Sequence, residues 1–179
     1  MKKRIVIIGA GGHGKVVAET VLLSNKYSIA GFIDDQRQIG DVVFRDYKVL
    51  GNRTFLAEHK SEFDGFIAAV GNNAIRKEIF EMFRGLISPM TVIHPFSFVS
   101  DSAVIGEGTV VLAGAVIGAD AVVGANCIIN AKSLVEHDCV LGGHSHIAQG
   151  ALAGSGCKMP EQYLLEFGGR LNPYTDLIK

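Results

Sequence analysis

Residues 104–147 read VIGEGTVVLAGAVIGADAVVGANCIINAKSLVEHDCVLGGHSHI, and this stretch decides the fold. Counted in sixes from residue 93, one column holds Ile93, Val99, Ile105, Val111, Ile117, Val123, Ile129, Val135, Leu141 and Ile147. Four residues after each stand Ser97, Ala103, Thr109, Ala115, Ala121, Cys127, Ser133, Cys139, Ser145 and Ala151. The first column is branched aliphatic throughout and the second is small throughout. Helices repeat apolar residues near every 3.6 positions and strands near every two, so six fits neither. It fits a short strand followed by a turn, with three such units closing a triangular coil. The aliphatics then stack inward as ladders, and each coil buries its face only against its neighbours.

The pattern resembles the hexapeptide repeat of left-handed parallel β-helices, and residues 93–157 are assigned to such a domain. Cys127 and Cys139 fall in the small column and read as packing thiols; Cys157 joins them if the repeat continues. Beyond Ala151 the rhythm is lost to the eye. Leu152 comes one residue early, and Pro160 followed by EQYLLEF could open a short helix. Residues 158–179 therefore read either as an atypical C-terminal cap or as a frameshifted tail.

Working back from the repeat, residues 1–92 alternate strand and helix signals. Lys3–Ile8 is a buried-strand run, followed by a helix from Lys15 to about Leu23 and a strand over Ser28–Ile33. A helix near Arg53–Lys60, a strand at Phe66–Val70, a helix near Ala74–Phe83 and a last strand at Met90–Ile93 complete the set. This predicts an α/β, Rossmann-like domain with a small parallel sheet ahead of the β-helix. Gly9-x-Gly11-x-x-Gly14 matches the glycine-rich nucleotide fingerprint, and Asp34 lies 20 residues after Gly14 at the end of the second strand. Taken alone, that fingerprint suggests NAD. The chain lacks a second α/β domain for a hydride acceptor, so a phosphate-bearing ligand other than a dinucleotide is favoured.

Composition narrows the classes. The 179 residues carry a formal net charge of −1, with 22 glycines and no tryptophan. Near-neutrality argues against a nucleic-acid or anionic-membrane binder. No apolar run is long enough to span a membrane, and MKKRIVIIGAGG runs into a glycine loop instead of a cleavage site. Three cysteines are too few for a disulfide framework. A soluble, cytoplasmic protein is expected.

Three histidines crowd the late repeats. His137, flanked by Glu136 and Asp138, lies two residues past Val135 and so belongs to an outward turn. A histidine beside a carboxylate makes a good general base. His146 interrupts a column otherwise filled by Val104, Val110, Val116, Val122, Ile128, Leu134 and Val140, which marks a site. His144 reads as a surface turn residue. Their spacing matches no zinc pattern, so no metal is expected.

The glycine-histidine-glycine loop, Asp34-Asp35, GNNAIRK, the solenoid and NAKSLVEHDCVLG together resemble one family over roughly residues 4–156. It is the bacterial sugar O-/N-acyltransferases, typified by the UDP-4-amino-sugar N-acetyltransferase of bacillosamine synthesis and by sialic acid O-acetyltransferase homologues. The resemblance implies a homotrimer that takes acetyl-CoA between neighbouring solenoids and a UDP-amino sugar or sialic acid on the N-terminal domain. It implies His137 as general base with Asp138 and Glu136 beside it, His146 and Gly154 at acetyl-CoA, and Asn130 by the acceptor. Gly12, His13, Gly14, Asp34, Asp35 and Asn72 fall at substrate-binding positions. The transfer it implies is direct, onto an amine or, alternatively, a sialic acid hydroxyl. Relatives usually carry more coils after the second histidine, so a chain whose coils stop near residue 152 could instead be a sugar-nucleotide binder without turnover.

Overall fold

The computed structural model describes residues 1–179 and divides them into two compact units, Met1–Met90 and Thr91–Lys179. In the first, β1 (Lys3–Ile8), α1 (Gly12–Ser24), β2 (Tyr27–Ile33), β3 (Val42–Phe44), β4 (Tyr47–Gly51), α2 (Arg53–Glu58), β5 (Gly65–Ala68) and α3 (Asn73–Phe83) follow in order. The sheet order is β3-β4-β2-β1-β5, parallel except for the β3–β4 pair. Ile5–Ile8 are buried, as a strand covered on both faces requires. The hairpin of β3 and β4 was not expected from sequence; it turns at Arg45, whose φ is +50°. Gly9 has φ +111°, and a Cβ on Gly14 would lie 2.1 Å from the Gly9 carbonyl oxygen. The glycines thus let α1 start hard against the end of β1.

The second unit is a stack of two-residue strands recurring every six residues, from β6 (Val92–Ile93) to β19 (Arg170–Leu171). They pair in parallel, each with the strand 18 residues away, and form three sheets. Two expectations are corrected here. Val92–Ile93 pairs with Val110–Val111, so it opens the solenoid and is not the last strand of the first sheet. The tail after residue 157 is neither a helix nor a change of phase: β16 (Leu152–Ala153), β17 (Lys158–Met159), β18 (Leu164–Leu165) and β19 continue the stack in register. Leu152 is not an early aliphatic. It stands in the outward column opposite Leu134, while Ala153 pairs with Val135 and is buried.

The handedness of the corners explains this continuity. Every sixth residue from Gly108 to Tyr174 has φ between +55° and +72°, among them Asp120, Asn126, Asp138, Gly150, Gly156 and Gly168. Glycine adopts this region freely, and Asn and Asp tolerate it better than other residues. The small column adds a second device. Thr91, Thr109, Cys127 and Ser145 each donate to the carbonyl 15 residues on, at Gly106, Gly124, Gly142 and Pro160. These donors tie the small column of one coil to a half-buried carbonyl of the next. No helix is long and apolar enough to cross a membrane.

Candidate active site

His137 stands at the corner after β13 (Leu134–Val135), and its backbone is held by the coils on either side. Its carbonyl accepts from Gly156 N at 2.9 Å, and a Cβ on Gly118 would lie 2.6 Å from its amide nitrogen. The side chain is 48% exposed. Its Nδ1 lies 2.6 Å from Asp138 Oδ2. A carboxylate only accepts, so Nδ1 carries the proton and Nε2 keeps its lone pair. Asp138 reaches this position from the left-handed region, at φ +60°. The hydrogen bond to Asp138 raises the His137 pKa above its ordinary value. Slight desolvation opposes that rise, and the charges of Asp138 and Glu136 add to it. The corner is an oriented, strengthened base.

His146 lies in β15 (His146–Ile147), on a different sheet from β13. Its Nε2 is 2.9 Å from Asn130 Nδ2, and Asn130 is 6% exposed. The structure thus joins two of the expected residues. His144 departs from the surface reading. It occupies a left-handed corner at φ +59° but is buried, with Nδ1 2.8 Å from Asn126 Nδ2 and Nε2 3.5 Å from Glu161 Oε1. Stacking places it over Asn126, 18 residues earlier, a relation that the spacing of corners could have revealed. Gly154 is buried between coils. Its carbonyl accepts from Cys139 Sγ at 3.1 Å, and a Cβ there would lie 2.8 Å from Pro173 N. Cys127, Cys139 and Cys157 are free and buried, and burial pushes the Cys139 thiol up to about 11. No group of three or more His, Cys, Asp or Glu side chains is placed to hold a metal ion.

In the first unit a cleft of about 410 Å³ opens at the carboxyl ends of the strands, lined by Gly9, Asp34, Asp35, Arg53, Val70 and Glu78 among others. The sheet order changes direction at β1, and ligands of open parallel sheets bind at such a switch point. Asp34 organises the walls. Its Oδ2 accepts from Ala10 N at 2.8 Å, and its Oδ1 accepts from Gln36 N at 3.0 Å and Arg37 N at 3.2 Å. Burial pulls its pKa up, but those three N–H groups outweigh it and hold the carboxyl below its usual range. Asp35 is paired with Arg53, which also reaches Glu78 Oε1 at 2.7 Å. Asn72 caps α3, accepting from Ile75 N at 3.1 Å. Gly12 and His13 begin α1, the glycine exposed and the histidine half-buried, with Gly14 buried behind them. Sequence reasoning missed Arg53 and Arg76. Arg76 is 1% exposed and donates to the Val70 and Gly71 carbonyls and to Asn73 Oδ1, fixing the loop that enters α3. Its signal was present in GNNAIRK, an arginine on the inner face of a helix.

The PglD N-terminal domain family matches residues 4–83. A UDP-N-acetylbacillosamine N-acetyltransferase of Bacillus subtilis is 34% identical over 113 residues, 58% of this chain and 49% of that protein. The match thus spans about half the length of that relative. PerB from Caulobacter crescentus, solved with CoA and GDP-perosamine, superposes with a TM-score of 0.89 at 32% identity, covering 96% of this chain and 81% of the other. The acetyltransferase domain of PglB from Neisseria gonorrhoeae, solved with acetyl coenzyme A, gives a TM-score of 0.89 at 34% identity, covering 98% and 85%. With an α/β unit and a parallel solenoid in the same order, the chain belongs to the hexapeptide-repeat sugar acyltransferase family.

Proposed function

We propose that the chain transfers an acetyl group from acetyl-CoA to the amino group of a nucleoside-diphosphate-linked amino sugar. The observation that carries this reading is the His137 Nδ1–Asp138 Oδ2 contact of 2.6 Å on an exposed corner. It leaves Nε2 to take a proton from the attacking amine. The sugar nitrogen bonds to the thioester carbonyl carbon and the C–S bond breaks. The proton held by His137 then returns to the departing CoA thiolate. Solenoid N–H groups would stabilise the oxyanion formed on the way. No acyl-enzyme is needed, in keeping with cysteines committed to packing. The nucleotide would lie in the cleft beside Asp34 and Asp35, with the start of α1 toward its phosphates. The coils continue through Leu171, so the stack does not stop near residue 152 as the reading of a binder without turnover required. His137 stands at the corner after β13 and His146 on a sheet that β13 does not join, which favours a site that takes one from each of two chains in a homotrimer.

The test is release of CoA from acetyl-CoA in the presence of UDP- and GDP-linked 4-amino sugars. His137→Ala should lose about 10²–10⁴-fold in kcat while still binding acetyl-CoA. In Asp138→Asn the His137 pKa falls, so the acidic limb of the kcat/KM profile moves to lower pH while the plateau drops. Full turnover by His137→Ala would overturn the assignment.

A further inference from the structure

The cleft of the first unit is lined by the carboxylates of Asp34, Asp35 and Glu78 and by a single cation, Arg53. An excess of negative charge suits a neutral ring better than a phosphate at this end of the cleft. The hydrogen bonds show which of these groups are already spent. Asp34 accepts from three backbone N–H groups. Asp35 accepts from Arg53 with both oxygens, Oδ1 from the backbone N at 3.0 Å and Oδ2 from Nε. Glu78 accepts from Arg53 Nη1 at 2.7 Å through Oε1, and its Oε2 takes no donor. The guanidinium thus keeps both N–H groups of Nη2 and one of Nη1. Arg53 opens α2 and Glu78 lies inside α3, so the fork is held from two elements before any ligand arrives. Ile33, Val70, Ile75 and Ile79 give the cleft apolar walls against which a flat ring can lie.

We infer that the Arg53–Glu78 pair selects the nucleobase of the acceptor, and that the base it selects is guanine. The pair sets N–H donors beside a carboxylate with an oxygen to spare. Guanine is the common base whose edge sets a carbonyl oxygen, O6, beside two adjacent donors, N1–H and N2–H. Arg53 donates to O6, and the Glu78 carboxylate accepts from N1–H and N2–H. Uracil repeats the first two groups but ends in O2, an acceptor that would face a carboxylate oxygen. Adenine and cytosine offer a carboxylate one N–H each, from the exocyclic amine. A site that pairs a charged group with a ligand N–H discriminates strongly against the analogue that lacks it. Both residues are specificity determinants and neither acts in the transfer. The inference rests on the reading that the acceptor's nucleotide lies in this cleft.

The test is calorimetric titration of GDP, IDP, UDP, CDP and ADP into the full chain, without acetyl-CoA. GDP should bind tightest, about tenfold or more ahead of UDP. IDP keeps O6 and N1–H but lacks the N2 amino group, so the GDP-to-IDP ratio isolates one contact. That ratio should be about tenfold in the wild type and fall below about threefold in Glu78→Ala. Glu78 is exposed on its helix, and a general folding defect would weaken GDP and IDP alike, so the ratio reports the contact alone. UDP binding as tightly as GDP, a wild-type ratio near one, or a ratio that survives in Glu78→Ala overturns the base selection. With UDP preferred and acetyl transfer intact, the transferase reading stands and the guanine assignment falls. Absence of binding by every nucleotide overturns both the base selection and the placement of the nucleotide in this cleft. The expected nucleotide order in a chain that acetylates no amino sugar would instead defeat the transferase reading and leave the Arg53–Glu78 selection standing.

Discussion

Between Ile93 and Ile147 the inward column of the solenoid holds only isoleucine, valine and leucine; between Ala153 and Leu171 it holds Ala153, Met159, Leu165 and Leu171. The backbone does not register the change. Leu134 faces Leu152 and Leu152 faces Arg170 in the same parallel pairing that joins the earlier strands. The left-handed corners also continue, at Gly150, Gly156, Gln162, Gly168 and Tyr174. So do the carbonyl-capping donors, with Cys139 to Gly154 and Cys157 to Asn172, both at 3.1 Å. The coil is held by its corners and by side chain-to-carbonyl bonds, and the inward column needs only to fill its volume.

If early and late coils form one cooperative unit, the largest effect comes from a charge in the late column. Met159 is fully buried, and Met159→Asp should cost on the order of several kcal/mol, lowering Tm by about 10 °C or more. A melting curve indistinguishable from wild type would show late coils that are already open in solution. Next come paired truncations. Leu141→Ala and Met159→Ala each remove a buried side chain, and each should cost about 2–5 kcal/mol in urea unfolding. A late truncation below about 1 kcal/mol beside a costly early one would divide the solenoid in two.

The corners allow a finer test. Gly150 and Gly168 have φ +65° and +63°, with open space where a Cβ would stand. Gly150→Ala and Gly168→Ala should therefore each cost about 1 kcal/mol, as backbone strain alone. Lys132→Gly, at φ +57°, should gain a similar amount. The smallest effect is kinetic. Cys127 in the early coils and Cys157 in the late ones should react with a disulfide reagent equally slowly, and only on unfolding. Fast modification of Cys157 alone would mark the end of the stack as frayed.

The early coils were legible because every position of the aliphatic and small columns was occupied by the expected type. The late coils were hidden because Ala153 and Met159 are not branched and Tyr163 is not small. A third column would have exposed them: Gly150, Gly156 and Gly168 keep the corner's glycine preference after both other columns blur. In the first unit the helices and three parallel strands were legible from apolar runs. The β3–β4 hairpin was not, since Val42–Gly51 interleaves charged residues and turns without a long alternation. At the site, the His137–Asp138 pair could be read from adjacency. The His146–Asn130 contact spans 16 residues and becomes visible only once the coil's 18-residue circumference is known.

That circumference sets a rule for how such a chain can lengthen or shorten. Gain or loss of six residues leaves every strand with a parallel partner, yet it carries each later side chain to the next face of the prism. Only a change of 18 returns a side chain to its own face. Six residues inserted between Asn130 and His146 would keep the stack intact and separate the amide from its imidazole. Eighteen inserted before Ser100 would leave His137, Asn130 and His146 in mutual order, one coil farther along the axis. Length variation among chains of this type should therefore come in eighteens through the middle of the stack and without such quantisation at its ends.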